Sequence, residues 1–190
     1  MTTKLLLLTA SLTLAFAGSA MALTKDEYKV SGTKISADYK VAKTSCGALN
    51  GNAKDICISE AKGAEKVAKA DLESQYKPSA KNTQKVAMAK GDAAYDTAKE
   101  KCGDLAGNAK DVCVKEAKAA HVKAKEDAKV AKVMSTTSAD KNEKVMDAKK
   151  DAATEKREAD YKVAKERCDS QSGAAKDSCV DAAKVKFGMK

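Results

Sequence analysis

The chain has 190 residues, a formal net charge of +9, and a third of its side chains charged, yet it holds only two Phe, one Pro and no Trp. Leu, Ile, Val and Phe are too sparse to fill a broad core, and β-branched runs of period two are scarce. Ala and Lys dominate, both strong helix formers, so the composition excludes a large core and predicts thin, Ala-packed helices in an all-α fold.

The chain opens with MTTKLLLLTASLTLAFAGSAMA. One positive charge at Lys4 precedes an apolar run from Leu5 to Ala17, and Ala20-Met21-Ala22 fits an A-x-A cleavage site. Residues 1–22 therefore read as a cleaved signal peptide, with the apolar run too short to span a membrane. The expected mature chain begins at Leu23, retains an excess of basic side chains, and is periplasmic or secreted. No later stretch reaches transmembrane length.

Beyond residue 22, three related segments follow one another. CGALNGNAKDIC (46–57), CGDLAGNAKDVC (102–113) and CDSQSGAAKDSC (168–179) each carry a cysteine at both ends. A tyrosine stands seven residues before each first cysteine, at Tyr39, Tyr95 and Tyr161, and Lys-Asp precedes each second cysteine. Three repeats follow: 23–78, closed by Pro78; 79–138, closed by the STTS break at 135–138; and 139–190, with a shortened second arm.

In one unbroken helix, eleven residues would separate the cysteines by about 16 Å, far beyond disulfide reach. Pairing within a repeat requires the chain to reverse between them. The midpoints fall at Gly51-Asn52 and Gly107-Asn108, with Gly173 at the third. Glycine is favoured just past a helix end and asparagine as an N-cap, so Gly51 and Gly107 are expected to end incoming helices and Asn52 and Asn108 to cap outgoing ones. Asp55 and Asp111, three residues on, complete a capping-box pattern. The third unit has Ala174 in place of the asparagine. Each repeat thus reads as a helical hairpin, giving three stapled hairpins in tandem, elongated or in a loose bundle.

On the incoming arms, Tyr95, Ala98, Cys102 and Leu105 fall on one stripe, as do Tyr39, Ala42, Cys46 and Leu49. On the outgoing arm Ala109, Cys113, Ala117, Ala120 and Ala124 form a comparable seam. An exported chain meets an oxidising compartment, so Cys46, Cys57, Cys102, Cys113, Cys168 and Cys179 read as structural disulfides joining partners within each repeat. Six cysteines formally allow fifteen connectivities, and intermolecular or swapped pairing is the alternative.

No metal site, cofactor or catalytic residue is expected. His121 is the single histidine, CxxC and CxxCH are missing, and no phosphate loop or paired-carboxylate motif appears. His121 reads as a surface residue on an Ala/Lys helix, and the tyrosines as seam packing rather than ligand stacking. Lysines alternate with acids at helical spacing, as in KAKEDAKVAK (123–132), which describes a solvated face. Nucleic acid is not an expected partner, given export and only two arginines, Arg157 and Arg167.

Segments such as AKGAEKVAKADLE (61–73) and AKAAHVKAKEDAKVAKV (117–133) resemble small exported bacterial proteins described as TolA-like or cell-envelope biogenesis proteins, by likeness to the helical periplasmic segment of TolA. The sequence departs from TolA in its cleavable leader and in having no recognisable C-terminal globular domain. The resemblance implies a non-enzymatic helical-repeat protein with a structural or protein-binding role in the cell envelope, its partner an envelope protein or an anionic envelope surface. The alternating charges also resemble late-embryogenesis-abundant proteins, which implies the alternative: a stress-protective or chaperone-like protein shielding clients or membranes.

Overall fold

A computed structural model describes residues 23–137 and 139–190; the expected signal peptide lies outside the described residues. Among these the chain forms six α-helices and no strand: α1 Lys25–Ser45, α2 Gly51–Tyr76, α3 Ala80–Lys101, α4 Gly107–Ser135, α5 Lys141–Cys168 and α6 Gly173–Phe187. The all-α expectation holds, as does its form: three helical hairpins in tandem, α1–α2, α3–α4 and α5–α6. Each is closed by its own disulfide, Cys46–Cys57, Cys102–Cys113 and Cys168–Cys179, with Cα atoms 5.7 Å apart in all three.

The turn differs from the expected one. α5 runs through Cys168, whereas α1 and α3 end before their first cysteine, and Cys46–Ala48 and Cys102–Asp104 form single 3₁₀ turns. Two extended residues follow, and then Gly51, Gly107 and Gly173 open the outgoing helices at φ values of +55°, +54° and +57°. These glycines therefore begin a helix rather than end one. Their left-handed backbone supplies the reversal, and a Cβ there would add steric strain of about 1–2 kcal/mol. Asn52 and Asn108 lie one residue inside the helices and do not cap them; the N-cap positions fall to Asn50, Ala106 and Ser172, none of which makes a side-chain cap bond. Asp55 and Asp111 accordingly complete no capping box. The box in the described chain is at the start of α1, where Thr24 N–H donates to Glu27 (2.8 Å) and Glu27 N–H to Thr24 Oγ1 (3.3 Å).

Each helix packs chiefly on its neighbours in sequence, so the hairpins form a single layer rather than a closed bundle. The most extensive contacts lie between hairpins, α2 on α3 and α4 on α5. Internal helices therefore bury two stripes, not one. On α4, Ala117 is buried with its counterparts Ala61 and Ala183, while Ala119 is buried against Ala159 and Val163 of α5. Ala109 and Ala120, expected in the seam, are exposed. Leu49 and Leu105 are likewise about 40% exposed, because they sit in the extended residues at the hairpin tips, past the helical register that the stripe assumed.

The core is small. Among the described residues its buried apolar members are eight alanines, three cysteines, Leu72 and Val163. With about 0.8 kcal/mol per buried methyl-sized group, alanines leave each hairpin dependent on other constraints. Closing a loop of this size by a disulfide contributes about 3 kcal/mol. Replacing Cys102 and Cys113 by Ser should lower urea-unfolding stability by about 2–4 kcal/mol while leaving far-UV helicity in dilute buffer near that of the parent.

Candidate functional site

Because contact between hairpins exceeds contact within them, the inter-repeat junctions are where the fold concentrates its specific chemistry. The cysteines set the repeat offset: 56 residues from first to second hairpin and 66 from second to third. Under that offset the two junctions use the same positions. Gly63 of α2 meets Ala93 of α3 so closely that an added Cβ would stand 2.8 Å from the Ala93 Cβ. The equivalent residues of the second junction are Ala119 and Ala159, neighbours in the core. Glu60 pairs with Lys101 at 3.5 Å, and at the equivalent positions Glu116 pairs with Arg167.

The third shared position explains the asparagines. Asn108 Nδ2 donates to the Glu166 carbonyl, 2.9 Å away near the end of α5. That carbonyl lies in the last turn of the helix and also accepts from the Asp169 N–H at 3.1 Å, so the asparagine supplies its second hydrogen bond. Asn52 occupies the same place at the first junction, against Gly103, with its Nδ2 buried and unpaired. Each asparagine thus reaches across to the next hairpin. Ala174 stands at this position in the third hairpin, where the side chain has no amide to donate.

A second cluster ties three helices together. The Asp92 carboxylate on α3 accepts from Lys66 Nζ on α2 and lies against His121 Nε2 on α4, both at 2.7 Å. The His121 ring stacks on Tyr95, centroids 4.8 Å apart and planes 12° from parallel. His121 is therefore not the surface residue expected; its side chain is 19% exposed. The signal that would have placed it is the spacing from Tyr95, which sets both rings at one height of an antiparallel hairpin. Burial pulls the Asp92 carboxyl up, but the hydrogen bonds from Lys66 and His121, with their charges, outweigh it and hold the group below the usual carboxylate range.

The base of the first hairpin has its own clasp, which the sequence reading missed. The Tyr28 and Tyr76 rings pack with centroids 4.5 Å apart and planes tilted by 30°, and the Tyr28 hydroxyl donates to Glu73 at 3.0 Å. That bond holds the Tyr28 phenol above its ordinary range. In the link between α2 and α3, Ser79 caps α3 through the Asn82 N–H, and the buried Asn82 side chain returns a 2.7 Å bond to the Lys77 carbonyl.

Between the helices run open, shallow grooves. The one between α2 and α3 is largely apolar, lined by Gly63, Ala64, Val67, Ala68, Ala93 and Ala94. Among the described residues there is no cluster of three or more His, Cys, Asp or Glu placed to hold a metal ion, and no helix long and apolar enough to cross a membrane. No protein-family model matches the chain, and no curated protein or solved structure does either.

Three substitutions test these roles. Asn108→Ala should cost about 1 kcal/mol by losing its bond to Glu166, and Asn52→Ala less, because its buried donor is already unpaired; chemical denaturation of both variants checks the difference. The lowered Asp92 value means that its contribution to stability is present above the unfolded carboxylate value of about 3.9 and is lost as pH falls through the folded one. Asp92→Asn should therefore melt lower than the parent at pH 7 and lose less Tm on acidification to pH 3.

Proposed function

We propose that this chain is an exported, non-enzymatic helical-repeat protein that serves a structural or protein-binding role in the bacterial cell envelope. Three disulfides fit an oxidising compartment, where such bonds persist. The observation that carries the reading is the single-layer array. Helices of 26, 22, 29 and 28 residues, from α2 to α5, stand side by side with their broad faces open. Packing on alanine and glycine keeps the helices close and leaves shallow grooves between them, the form in which a protein presents an extended docking surface.

The groove between α2 and α3 is the surface best suited to a protein segment, since Gly63, Ala64, Ala93 and Ala94 let another backbone approach closely. The ion pair Glu60–Lys101, both of whose residues line the groove, sets a charged border of both signs. The surplus of lysines over acids adds a general attraction to anionic envelope surfaces.

The test is photo-cross-linking in the cell. A photoreactive residue at exposed Ala94 should give one discrete adduct in the exported fraction, and the recovered protein should begin at Leu23. The same probe on the exposed Lys149 of α5 should give none. A retained leader would sink the export assignment. Failure to form an adduct at Ala94, together with suppression of aggregation of unrelated proteins by the purified chain, would favour the stress-protective reading instead.

A further inference from the structure

The repeat offset assigns partners to α1 and α6, the two outer helices of the array, each of which packs on one helix only among the described residues. On α1, the positions equivalent to Ala93 and Thr97 of α3, and to Ala159 and Val163 of α5, are Ala37 and Val41. On α6, the positions equivalent to Glu60 and Gly63 of α2, and to Glu116 and Ala119 of α4, are Ala182 and Val185. Inside the array these positions are in contact, and Val163 is only 7% exposed. At the ends they are open: Val41 is 67% and Val185 83% exposed, and Ala37 and Ala182 are exposed beside them. Each outer helix of the described array therefore carries one half of the junction that is used twice in its interior.

The opposite faces of α1 and α6 are accounted for within their own hairpins. Ala183 of α6 is buried like Ala61 and Ala117, and Tyr39 and Ala42 of α1 line a cleft shared with Ala61 and Ala68 of α2. The outward stripes are thus separate from the seams that close each hairpin.

We propose that α6 of one copy docks on α1 of the next, continuing the array head to tail through a third junction of the same kind. The charges agree. In the first junction Asp55, Ser59 and Lys62 of α2 and Asp96, Lys99 and Glu100 of α3 line one groove. Their equivalents are Asp177, Asp181 and Lys184 on α6, and Lys40, Lys43 and Thr44 on α1. Two acids and one lysine on α6, with Lys184 paired to Asp181 at 3.4 Å, then face two lysines on α1, and the net charges are opposite.

The junction between copies differs from the internal ones in two respects. Val185 is larger than Gly63 or Ala119, so the helix axes stand further apart, with Val41 filling the space between them. The 15-residue α6 also covers only the tip half of α1, and Ala174 supplies no bond to the opposing helix end. Association is therefore reversible and concentration-dependent, and because the two surfaces differ it is open-ended.

Sedimentation velocity on the oxidised mature chain tests this. The weight-average sedimentation coefficient should rise with concentration at low salt and fall as salt is added, since the facing charges are exposed. Val41→Glu and Val185→Glu alter exposed side chains and should keep the parent's far-UV spectrum, while each weakens self-association at least tenfold. Each variant retains one intact end, so mixing them should restore a dimer and nothing larger. A monomer at every concentration would overturn the proposal. So would variants that associate like the parent, or a mixture of the two that stays monomeric.

Discussion

The reversal between two cysteines eleven residues apart is the constraint on which the rest of this molecule depends. A chain whose core is mostly alanine gains little from burial, so two long helices would not hold together on apolar contact alone. The disulfide removes much of the unfolded chain's freedom near the tip, and the glycine at positive φ lets the backbone turn in the few residues available. Cys46, Cys102 and Cys168 are also the most deeply buried side chains, so the covalent link is at the same time the tightest packing in each hairpin.

From that closure the array follows. A stapled hairpin presents two outward faces, and the close approach at Gly63–Ala93 and Ala119–Ala159 lets the next hairpin dock along nearly its whole length. The ion pairs at these junctions are solvent-exposed and each contributes at most about 1 kcal/mol. Their placement at equivalent positions sets the register of one hairpin on the next more than its strength. The Lys66–Asp92–His121 cluster is different in kind: one carboxylate is shared by three helices, which couples the first hairpin to both arms of the second.

How much of this was legible can be judged residue by residue. The cysteine spacing, the place of the reversal and the shortened third unit were readable because covalent geometry and backbone sterics act locally, whereas the glycines, expected to end the incoming helices, open the outgoing ones. Asn52 and Asn108 were misread as caps, since an asparagine after a glycine satisfies a local rule equally well; their role depends on a helix end 50 or more residues away. His121 was misread for a similar reason, as its partners Asp92 and Tyr95 lie across the hairpin. The Thr24–Glu27 box was open to recognition from its spacing alone.

The amino-acid sequence by itself determined the helical state and the number of hairpins and favoured cysteine pairing within each repeat, because helix propensity, loop closure and turn-forming glycine are properties of short stretches of chain. Only the tertiary structure decided that the hairpins stand in a single layer, that the larger contacts lie between repeats, and which face of each helix is shared. Alanines occur on nearly every side of these helices, so their pattern does not select a seam. The selection comes from the fit of glycine against alanine, a distant asparagine and charges of matching position, none of which exists until two hairpins meet.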